Sequence, residues 1–197
     1  IPLVISDQGG LTTHPDLKNS NFLKKILHRA QFTLIKFIIN QATKIIVPNT
    51  YEKNIFLEFS EPSKIEVVRN GINLETLKTP TKDFKKKYNL NCKFILFIGR
   101  FSKVKGIDIL LNAVKIIKNR TELQNFKFVI MGVDFGFQDK MFEMINELDI
   151  KDKILVIKNP SREDVIAAYK ESEFLVLPSR WELSPLTPLE GFAFKKP

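Results

Sequence analysis

Cysteine is almost missing from this sequence. Only one of the 197 residues, Cys92, carries a thiol, so the chain closes no internal disulfide. It also offers no second cysteine for a zinc knuckle or a redox pair. We therefore expect a protein of a reducing, cytosolic compartment.

A long uncharged apolar run is also missing. The most apolar segment, Phe22–Ile39, contains four basic residues, so a membrane-spanning helix is not expected. The segment has the pattern of a basic amphipathic helix, and such helices can lie on an anionic membrane surface. The alternative, a helix packed between a sheet and its neighbours, is favoured because helices this apolar are usually buried.

Basic residues outnumber acidic residues by 31 to 22, which gives a formal net charge of +9. This surplus favours anionic partners: a phosphorylated substrate, an anionic membrane surface or nucleic acid. A solvated basic surface explains the charge equally well. No nucleic-acid partner is predicted, because the sequence lacks both a basic motif with interleaved aromatic residues and a helix-turn-helix pattern.

The order of local patterns predicts an α/β fold. Short β-branched and aromatic runs alternate with segments whose apolar positions are three or four apart, which indicates parallel sheets with crossover helices. Two capping patterns, Asn49–Glu52 and Ser161–Asp164, mark helix starts. The predicted strands lie at residues 3–5, 45–47, 65–68, 94–98, 128–131, 154–157 and 174–177.

A proline, two threonines and several charges interrupt this periodicity at residues 77–83. We place a domain boundary there, between residues 1–79 and 80–197. The first apolar run has no charged leader before it, and the last residues have a helix-then-turn pattern that usually leads into another strand. We expect the chain to continue beyond both ends.

The first loop with candidate ligand-binding residues follows the predicted strand 94–98. It contains Gly99, Arg100, Lys105 and Gly106 and leads into a helical pattern. Ligands of open α/β sheets bind at this strand edge, where glycine lets the backbone approach and cations donate to phosphate oxygens. Two surface cations beside a tight turn are the equally simple alternative.

The second loop follows the predicted strand 174–177 and contains two carboxylates, Glu182 and Glu190, eight positions apart. Between them, Leu186 and Thr187 begin a proline-bounded helix, whose free backbone N–H groups would suit a diphosphate. Glu190 lies further along this helix and can face the same cleft. Two solvated carboxylates are the alternative.

Three motifs together resemble glycosyltransferase family 4. They are residues 67–73 (VVRNGIN) at the end of a first lobe, residues 97–113 with their G-R, K-G and L-x-x-A pattern, and Glu182 to Glu190 as an E-x(7)-E motif preceded by Pro178-Ser179. The resemblance covers nearly the whole chain. It implies a GT-B fold, in which residues 1–79 end the acceptor-binding lobe and residues 80–197 form a truncated, Rossmann-like, nucleotide-sugar-binding lobe.

The resemblance also implies roles for individual residues. Arg100 and Lys105 would bind the donor diphosphate, Glu182 would contact the transferred sugar, and Glu190 would hold the nucleotide ribose. The resemblance further makes Glu182, Arg100 and Lys105 the candidate catalytic residues, and adds as donor-binding positions Gly99, Leu186 and Thr187. No metal and no cofactor are expected beside the donor, a UDP-, GDP- or ADP-sugar.

Three segments depart from the family pattern. The first lobe has Asp7-Gln8-Gly9-Gly10 where a His-Gly pair is common, and His14, which follows, is interpreted as an exposed loop residue. The family's G-x-G-P turn becomes residues 132–136 (GVDFG), and a usual glycine is missing at residues 158–160. These changes leave the contacts to the donor base open.

The leading hypothesis is therefore an enzyme that transfers a hexose from a nucleoside diphosphate sugar to an acceptor hydroxyl, with retention at the anomeric carbon. The resemblance, and not the residues alone, implies retention. It also implies a glycan or lipid-linked acceptor and a cytoplasmic place, with peripheral contact to the inner face of the membrane. The alternative is a nucleotide-binding piece without turnover, since catalysis in a GT-B enzyme needs both lobes.

Overall fold

A computed structural model describes residues 2–7 and 33–197. Each of the seven apolar runs contains a strand, so the predicted strands are confirmed. The amphipathic pattern of residues 22–32, Gln8 and His14 lie outside the described residues. The strands are β1 (Val4–Ser6), β2 (Lys44–Val47), β3 (Ile65–Val67), β4 (Lys93–Ile98), β5 (Phe126–Gly132), β6 (Ile154–Lys158) and β7 (Phe174–Leu175).

Helices separate these strands, as the α/β prediction requires. The described part of the first helix, α1, covers residues 33–41. The others are α2 (Thr50–Phe56), α3 (Phe84–Lys87), α4 (Ile107–Ile117), α5 (Gln138–Glu147), α6 (Arg162–Glu171) and α7 (Leu186–Ala193). Short 3-10 turns occupy Pro62–Lys64, Leu74–Lys78, Lys103–Lys105, Thr121–Leu123 and Lys151–Lys153.

Both predicted capping patterns form as hydrogen bonds. The Asn49 side chain accepts from the backbone N–H of Glu52 at the start of α2. The Ser161 side chain accepts from the backbone N–H of Asp164 at the start of α6. Each side chain satisfies an N–H that has no partner within its helix, which fixes where the helix begins. Within the described residues, no helix is long and apolar enough to cross a bilayer.

The chain divides into two compact units, and neither is a single stretch of sequence. The first unit comprises Ile1–Asn70 with Trp181–Pro185, and the second comprises Gly71–Arg180 with Leu186–Pro197. The division therefore falls between Asn70 and Gly71, earlier than the boundary placed at residues 79 and 80. That these units are acceptor and donor lobes stays a prediction.

The first unit is built on a three-stranded parallel sheet in the order β1-β2-β3. Apolar side chains from the sheet and from α1 and α2 close its core, among them Ile45, Val47 and Phe56, each at most 2% exposed. Burial of these apolar side chains stabilises the unit. The segment 181–185 attaches to it.

The second unit has a four-stranded parallel sheet in the order β6-β5-β4-β7. The chain first moves outward from β4 through β5 to β6, and then returns to the other side of β4 to form β7. This is the order of a Rossmann-like half, and its direction reverses between β4 and β7. In such sheets ligands bind outside the carboxyl ends of the strands at the point of reversal.

Side chains of β4 alternate between two cores, because successive residues of a strand face opposite sides of the sheet. Ile95 and Phe97 pack with residues of α4 and α5 on one face. Phe94 and Leu96 pack with residues of α3 and α6 on the other. A strand buried on both faces needs a continuous apolar run, and residues 94–98 supply it. The unit is a three-layer sandwich with β4 at its centre.

Candidate functional site

The loop after β4 and the loop after β7 pack directly against each other in the second unit. Gly106 ends the 3-10 turn Lys103–Lys105 with a φ of +69°, in the left-handed region that glycine enters without strain. A Cβ at this position would lie 2.0 Å from the carbonyl oxygen of Pro178. Gly106 is therefore required both for the turn and for the contact between the two loops.

Arg180 holds the same two loops together. Its backbone N–H donates to the Val104 carbonyl at 2.8 Å, and its guanidinium donates to both carboxylate oxygens of Asp108 at 2.7 Å each. A further bond of 2.8 Å reaches the carbonyl of Lys103. The hydrogen bonds from Arg180 hold the pKa of the Asp108 carboxyl below its usual range. A bidentate pair of this kind fixes orientation as well as distance.

The carboxyl ends of β4 and β5 also approach closely. A Cβ at Gly132 would lie 1.8 Å from the carbonyl oxygen of Gly99, so only glycine fits at the end of β5. Beyond the strands, Phe101 donates to the Val133 carbonyl at 2.7 Å and accepts from the Phe135 N–H at 3.0 Å. The loop that carries Arg100 is thus tied on one side to β5 and on the other to β7.

The two predicted phosphate-binding cations lie in this loop. The Arg100 guanidinium stands over the ring of Phe135, 4.8 Å from the ring centroid. Lys105 is half-buried, and its side chain runs past Gly99: a Cβ built at Gly99 would lie 3.9 Å from the Lys105 Cδ. Both cations therefore follow the carboxyl end of β4, where ligands of such sheets bind.

The first turn of α7 meets the same strand end. The Thr187 hydroxyl lies 3.5 Å from the carbonyl oxygen of Ile98, the last residue of β4. The sequence placed a helix start at Leu186 and Thr187, and the structure confirms it. The cationic loop and this helix N-terminus consequently converge on the end of one strand, and both carry positive charge or partial charge.

A second helix N-terminus at this sheet edge, that of α5, is already occupied by a side chain of the protein. One carboxylate oxygen of Asp134 accepts from the backbone N–H groups of Gly136, Phe137 and Gln138, at 2.9 to 3.1 Å, at the start of α5. An acidic side chain here neutralises the positive end of the helix. An anion therefore cannot use the start of α5 without displacing Asp134.

Glu190, the second glutamate of the motif, faces α6. One carboxylate oxygen pairs with the Arg162 guanidinium at 2.7 Å, and the other accepts from the Tyr169 hydroxyl at 2.8 Å. The Glu190 side chain is 14% exposed, whereas Tyr169 is fully buried. The structure thus gives Glu190 two protein partners that the sequence alone did not indicate.

Glu182, the first glutamate, belongs to a different unit from Glu190. It lies in the segment Trp181–Pro185, which packs with the first unit. Asn49 donates its side-chain amide to the Leu183 carbonyl at 2.9 Å, and Asn70 donates its side-chain amide to the Ser184 carbonyl at 3.0 Å. The motif therefore spans a crossing of the chain from one unit to the other.

Within the described residues, no group of three or more His, Cys, Asp and Glu side chains has the arrangement of a metal site. The expectation that the reaction needs no metal stays a prediction, as do the roles assigned to the individual site residues.

Four side chains that shape these loops were not predicted: Asp108, Arg162, Tyr169 and Arg180. Arg180 and Asp108 are far apart in sequence, and only the strand order brings their loops together. One feature of the sequence could have predicted a role for Tyr169. It stands among the apolar residues Val165, Ile166 and Ala168, and a buried tyrosine hydroxyl needs a hydrogen-bond partner. No sequence pattern identifies that partner as Glu190.

Comparison with solved structures places this architecture in a class. The crystal structure of an Anabaena protein, HepE, in complex with UDP and glucose superposes with a TM-score of 0.79 at 17% identity, over all of this chain and 52% of that one. An identity this low shows the fold alone. The chain has the fold of the GT-B glycosyltransferases, as the family resemblance implied.

The family model described as glycosyl transferases group 1 matches residues 78–197, more than half of the chain, and the chain belongs to this family. An uncharacterized glycosyltransferase of Methanocaldococcus jannaschii is 30% identical over 165 residues, 82% of this chain and 41% of that protein. A UDP-Gal:alpha-D-GlcNAc-diphosphoundecaprenol alpha-1,3-galactosyltransferase of Escherichia coli is 27% identical over 162 residues, 79% and 41% respectively. The chain thus spans less than half the length of these relatives.

Proposed function

We propose that the second unit binds a nucleoside diphosphate sugar at the carboxyl edge of its sheet, between the ends of β4 and β7. One observation carries this proposal: the loop with Arg100 and Lys105 and the first turn of α7 meet at the end of β4. Side-chain cations and a helix N-terminus then follow the same strand end. Such an arrangement suits the diphosphate of a nucleotide better than a neutral ligand.

The chemistry proposed for the whole protein is transfer of a hexose to an acceptor hydroxyl with retention. When the bond between sugar and phosphate breaks, negative charge develops on the departing nucleoside diphosphate. Fixed cations and a helix N-terminus stabilise that charge without having to reorganise. Arg100 and Lys105 would do this together with the N–H groups of Leu186 and Thr187, while Gly99 leaves the backbone accessible. Glu182 would contact the transferred sugar.

The acceptor and the place of reaction belong to the same proposal. One relative acts, by its name, on a diphosphoundecaprenol-linked sugar, and HepE was crystallised with UDP and glucose. We propose a UDP-, GDP- or ADP-sugar donor and a glycan or lipid-linked acceptor, reached from the cytoplasmic side of a membrane. The formal net charge of +9 favours contact with an anionic lipid surface.

The second candidate is nucleotide binding without turnover by the chain as it stands. The chain spans 41% of the length of the two relatives compared above. Catalysis between two lobes requires both of them. Binding and transfer are therefore tested separately.

The first test is calorimetric titration of this chain with UDP, GDP and ADP at two salt concentrations. We expect one nucleotide to bind saturably, more weakly at high salt, and Arg100→Ala to lower the affinity at least tenfold. Lys103→Ala is the matched control, because it removes a cation from the same loop outside the predicted site. Equal losses in both variants would indicate a general charge effect and contradict the proposal.

The second test is transfer by the full-length protein. Glu182→Ala should reduce transfer more than nucleotide binding, because the proposed contact is to the sugar. Lys105→Ala should reduce both. Unchanged kinetics in Lys105→Ala would remove this residue from the site, and equal losses of binding and transfer in Glu182→Ala would indicate a purely structural role.

A further inference from the structure

Glu190 is held in one orientation by two side chains of α6. The Arg162 guanidinium pairs with one carboxylate oxygen of Glu190 at 2.7 Å, and the Tyr169 hydroxyl donates to the other at 2.8 Å. The Glu190 side chain is only 14% exposed. A glutamate with both oxygens bonded cannot change rotamer without breaking a charge-assisted hydrogen bond.

The two contacts leave hydrogen-bond acceptor positions on Glu190 for a ligand. An ionised carboxylate offers about four lone-pair positions on its two oxygens. Arg162 and Tyr169 use one position on each oxygen, so one remains on each. A pair of neighbouring hydroxyl groups, one donating to each oxygen, matches this arrangement.

Tyr169 donates its hydroxyl proton to Glu190. Burial, and secondly the adjacent Glu190 carboxylate, raise the pKa of its hydroxyl well above the usual range, so the hydroxyl keeps its proton. The same hydroxyl lies 3.4 Å from the carbonyl oxygen of Thr187 in the first turn of α7. The ring is fixed by stacking on Phe194, with centroids 5.6 Å apart and planes at 14°. Tyr169 therefore connects the orientation of Glu190 to the helix start at which the diphosphate is proposed to bind.

We propose that Arg162 and Tyr169 are positioning residues for ribose recognition: they orient the Glu190 carboxylate so that its free lone pairs accept from the two ribose hydroxyls of the donor. This inference rests on the proposed function and on the role that the family resemblance implies for Glu190, contact with the nucleotide ribose. Arg162 contributes more than Tyr169 to holding the Glu190 carboxylate, because its bond to Glu190 is charged at both ends. Tyr169 adds a second hydrogen bond, on the other carboxylate oxygen.

The opposite role for Arg162 makes a different prediction. If the Arg162 guanidinium occupied the place of the ribose and had to leave before the nucleotide entered, its removal would tighten binding. If it positions Glu190, its removal weakens most the binding of a ligand with both ribose hydroxyls and leaves a ligand without ribose unaffected. The sign of the change therefore distinguishes the two roles.

The experiment compares the best-binding nucleoside diphosphate, its 2′-deoxy form and inorganic pyrophosphate on the unaltered chain, Arg162→Ala, Arg162→Lys and Tyr169→Phe. We expect Arg162→Ala to weaken the ribonucleotide about tenfold, to weaken the 2′-deoxy form less because it keeps only the 3′-hydroxyl, and to leave pyrophosphate unchanged. Arg162→Lys should restore part of the loss. Arg120→Ala, which removes an exposed arginine elsewhere in the second unit, is the matched control and should change nothing.

Three results would overturn the inference. An unchanged ratio of ribonucleotide to deoxynucleotide affinity in both Arg162→Ala and Tyr169→Phe would refute it while leaving the proposed function intact. Tighter binding by Arg162→Ala would make Arg162 a competitor of the ribose. An unaltered chain that binds the nucleotide but ignores the 2′-hydroxyl would remove the ribose from Glu190 and with it this inference. Arg162 is 46% exposed on its side chain, so its variants should fold, and thermal unfolding checks this.

Discussion

Gly106 and Pro178 touch: a Cβ on residue 106 would lie 2.0 Å from the carbonyl oxygen of Pro178. No side chain fits between them, so the loop after β4 and the loop after β7 share one backbone-to-backbone contact. Arg180, two residues after Pro178, reinforces this contact by donating hydrogen bonds to the carbonyl groups of Val104 and Lys103. The geometry of the cationic loop thus depends on residues more than 70 positions away in sequence.

The first prediction concerns Gly106→Ala. The new methyl group must displace Pro178, and alanine at a φ of +69° is itself strained, so we expect a loss of roughly 2–4 kcal/mol in the free energy of unfolding. Chemical denaturation measures it. Nucleotide affinity should fall as well, because the displaced loop carries Arg100 and Lys105.

Two other glycines separate the cost of backbone strain from the cost of the steric clash. Gly136 has a φ of +82° but open space around its Cβ position, so Gly136→Ala should cost only the strain, about 1 kcal/mol. Gly71 has open space and no positive φ, so Gly71→Ala should be neutral within about 0.5 kcal/mol. A Gly106→Ala variant no less stable than Gly136→Ala would contradict the steric argument.

The second prediction concerns the pair Arg180 and Asp108. Arg180→Ala should weaken nucleoside diphosphate binding several-fold, because the loop loses two anchors and Asp108 becomes an unpaired anion near the diphosphate. Calorimetry measures the affinity. The effect on stability should be small, since the Arg180 side chain is 38% exposed.

The charge-exchanged double variant Arg180→Asp with Asp108→Arg tests whether the pair itself matters. It should recover part of the affinity that either single exchange loses. Lys140→Ala breaks a surface pair with Glu143 in α5 and serves as the control without effect. If the double variant bound no better than the single variants, a specific pairing would be excluded.

The third prediction is a pH dependence. Arg180 lowers the pKa of Asp108 in the folded protein, so the ionised carboxylate stabilises the fold. This stabilisation is complete above the unfolded pKa of about 3.9 and is lost as the pH falls through the lower folded value. The thermal midpoint of the unaltered chain should therefore exceed that of Asp108→Asn at pH 6. The gap should narrow as the pH falls below the unfolded value of about 3.9, and a constant gap would assign the difference to another cause.

The fourth prediction uses the only tryptophan in the sequence, Trp181, as a reporter of the segment 181–185. Asn70→Ala removes the amide that holds the Ser184 carbonyl. We expect the Trp181 emission to shift to longer wavelength and its quenching by acrylamide to rise. Asn73→Ala is the control: it removes a side chain that caps the turn Leu74–Lys78 by accepting from the backbone N–H of Glu75, and it should leave both signals unchanged. Identical spectra in the two variants would refute the holding role of Asn70.

Elements with a strong local signal were predictable from sequence. The apolar run at residues 94–98 was identified as a strand, and the patterns at Asn49 and Ser161 were identified as helix starts, because each signal arises within a few residues. The predicted lobe boundary rests on the Pro80 segment, because this segment interrupts periodicity more visibly than Asn70-Gly71, where the compact units divide.

The candidate site was predictable only as a set of loops. Arg100, Lys105 and Thr187 were identified because each follows or begins an element at a recognisable position. Their supports were not: Arg162 and Tyr169 meet Glu190 because α6 and α7 lie side by side, which depends on strand order. Long-range pairs of this kind leave no periodic trace in the sequence.

The attachment of Trp181–Pro185 to the first unit has a consequence for exchanging parts between relatives. A chimera joined at a single point after Asn70 would combine one protein's sheet with another protein's five-residue insert. The amides of Asn49 and Asn70 would then face foreign carbonyl groups. Recombination that preserves the interior of the first unit needs three junctions, at residues 70, 180 and 185. Glu182 is inherited with the half of the protein that it packs against, and Glu190 with the other half.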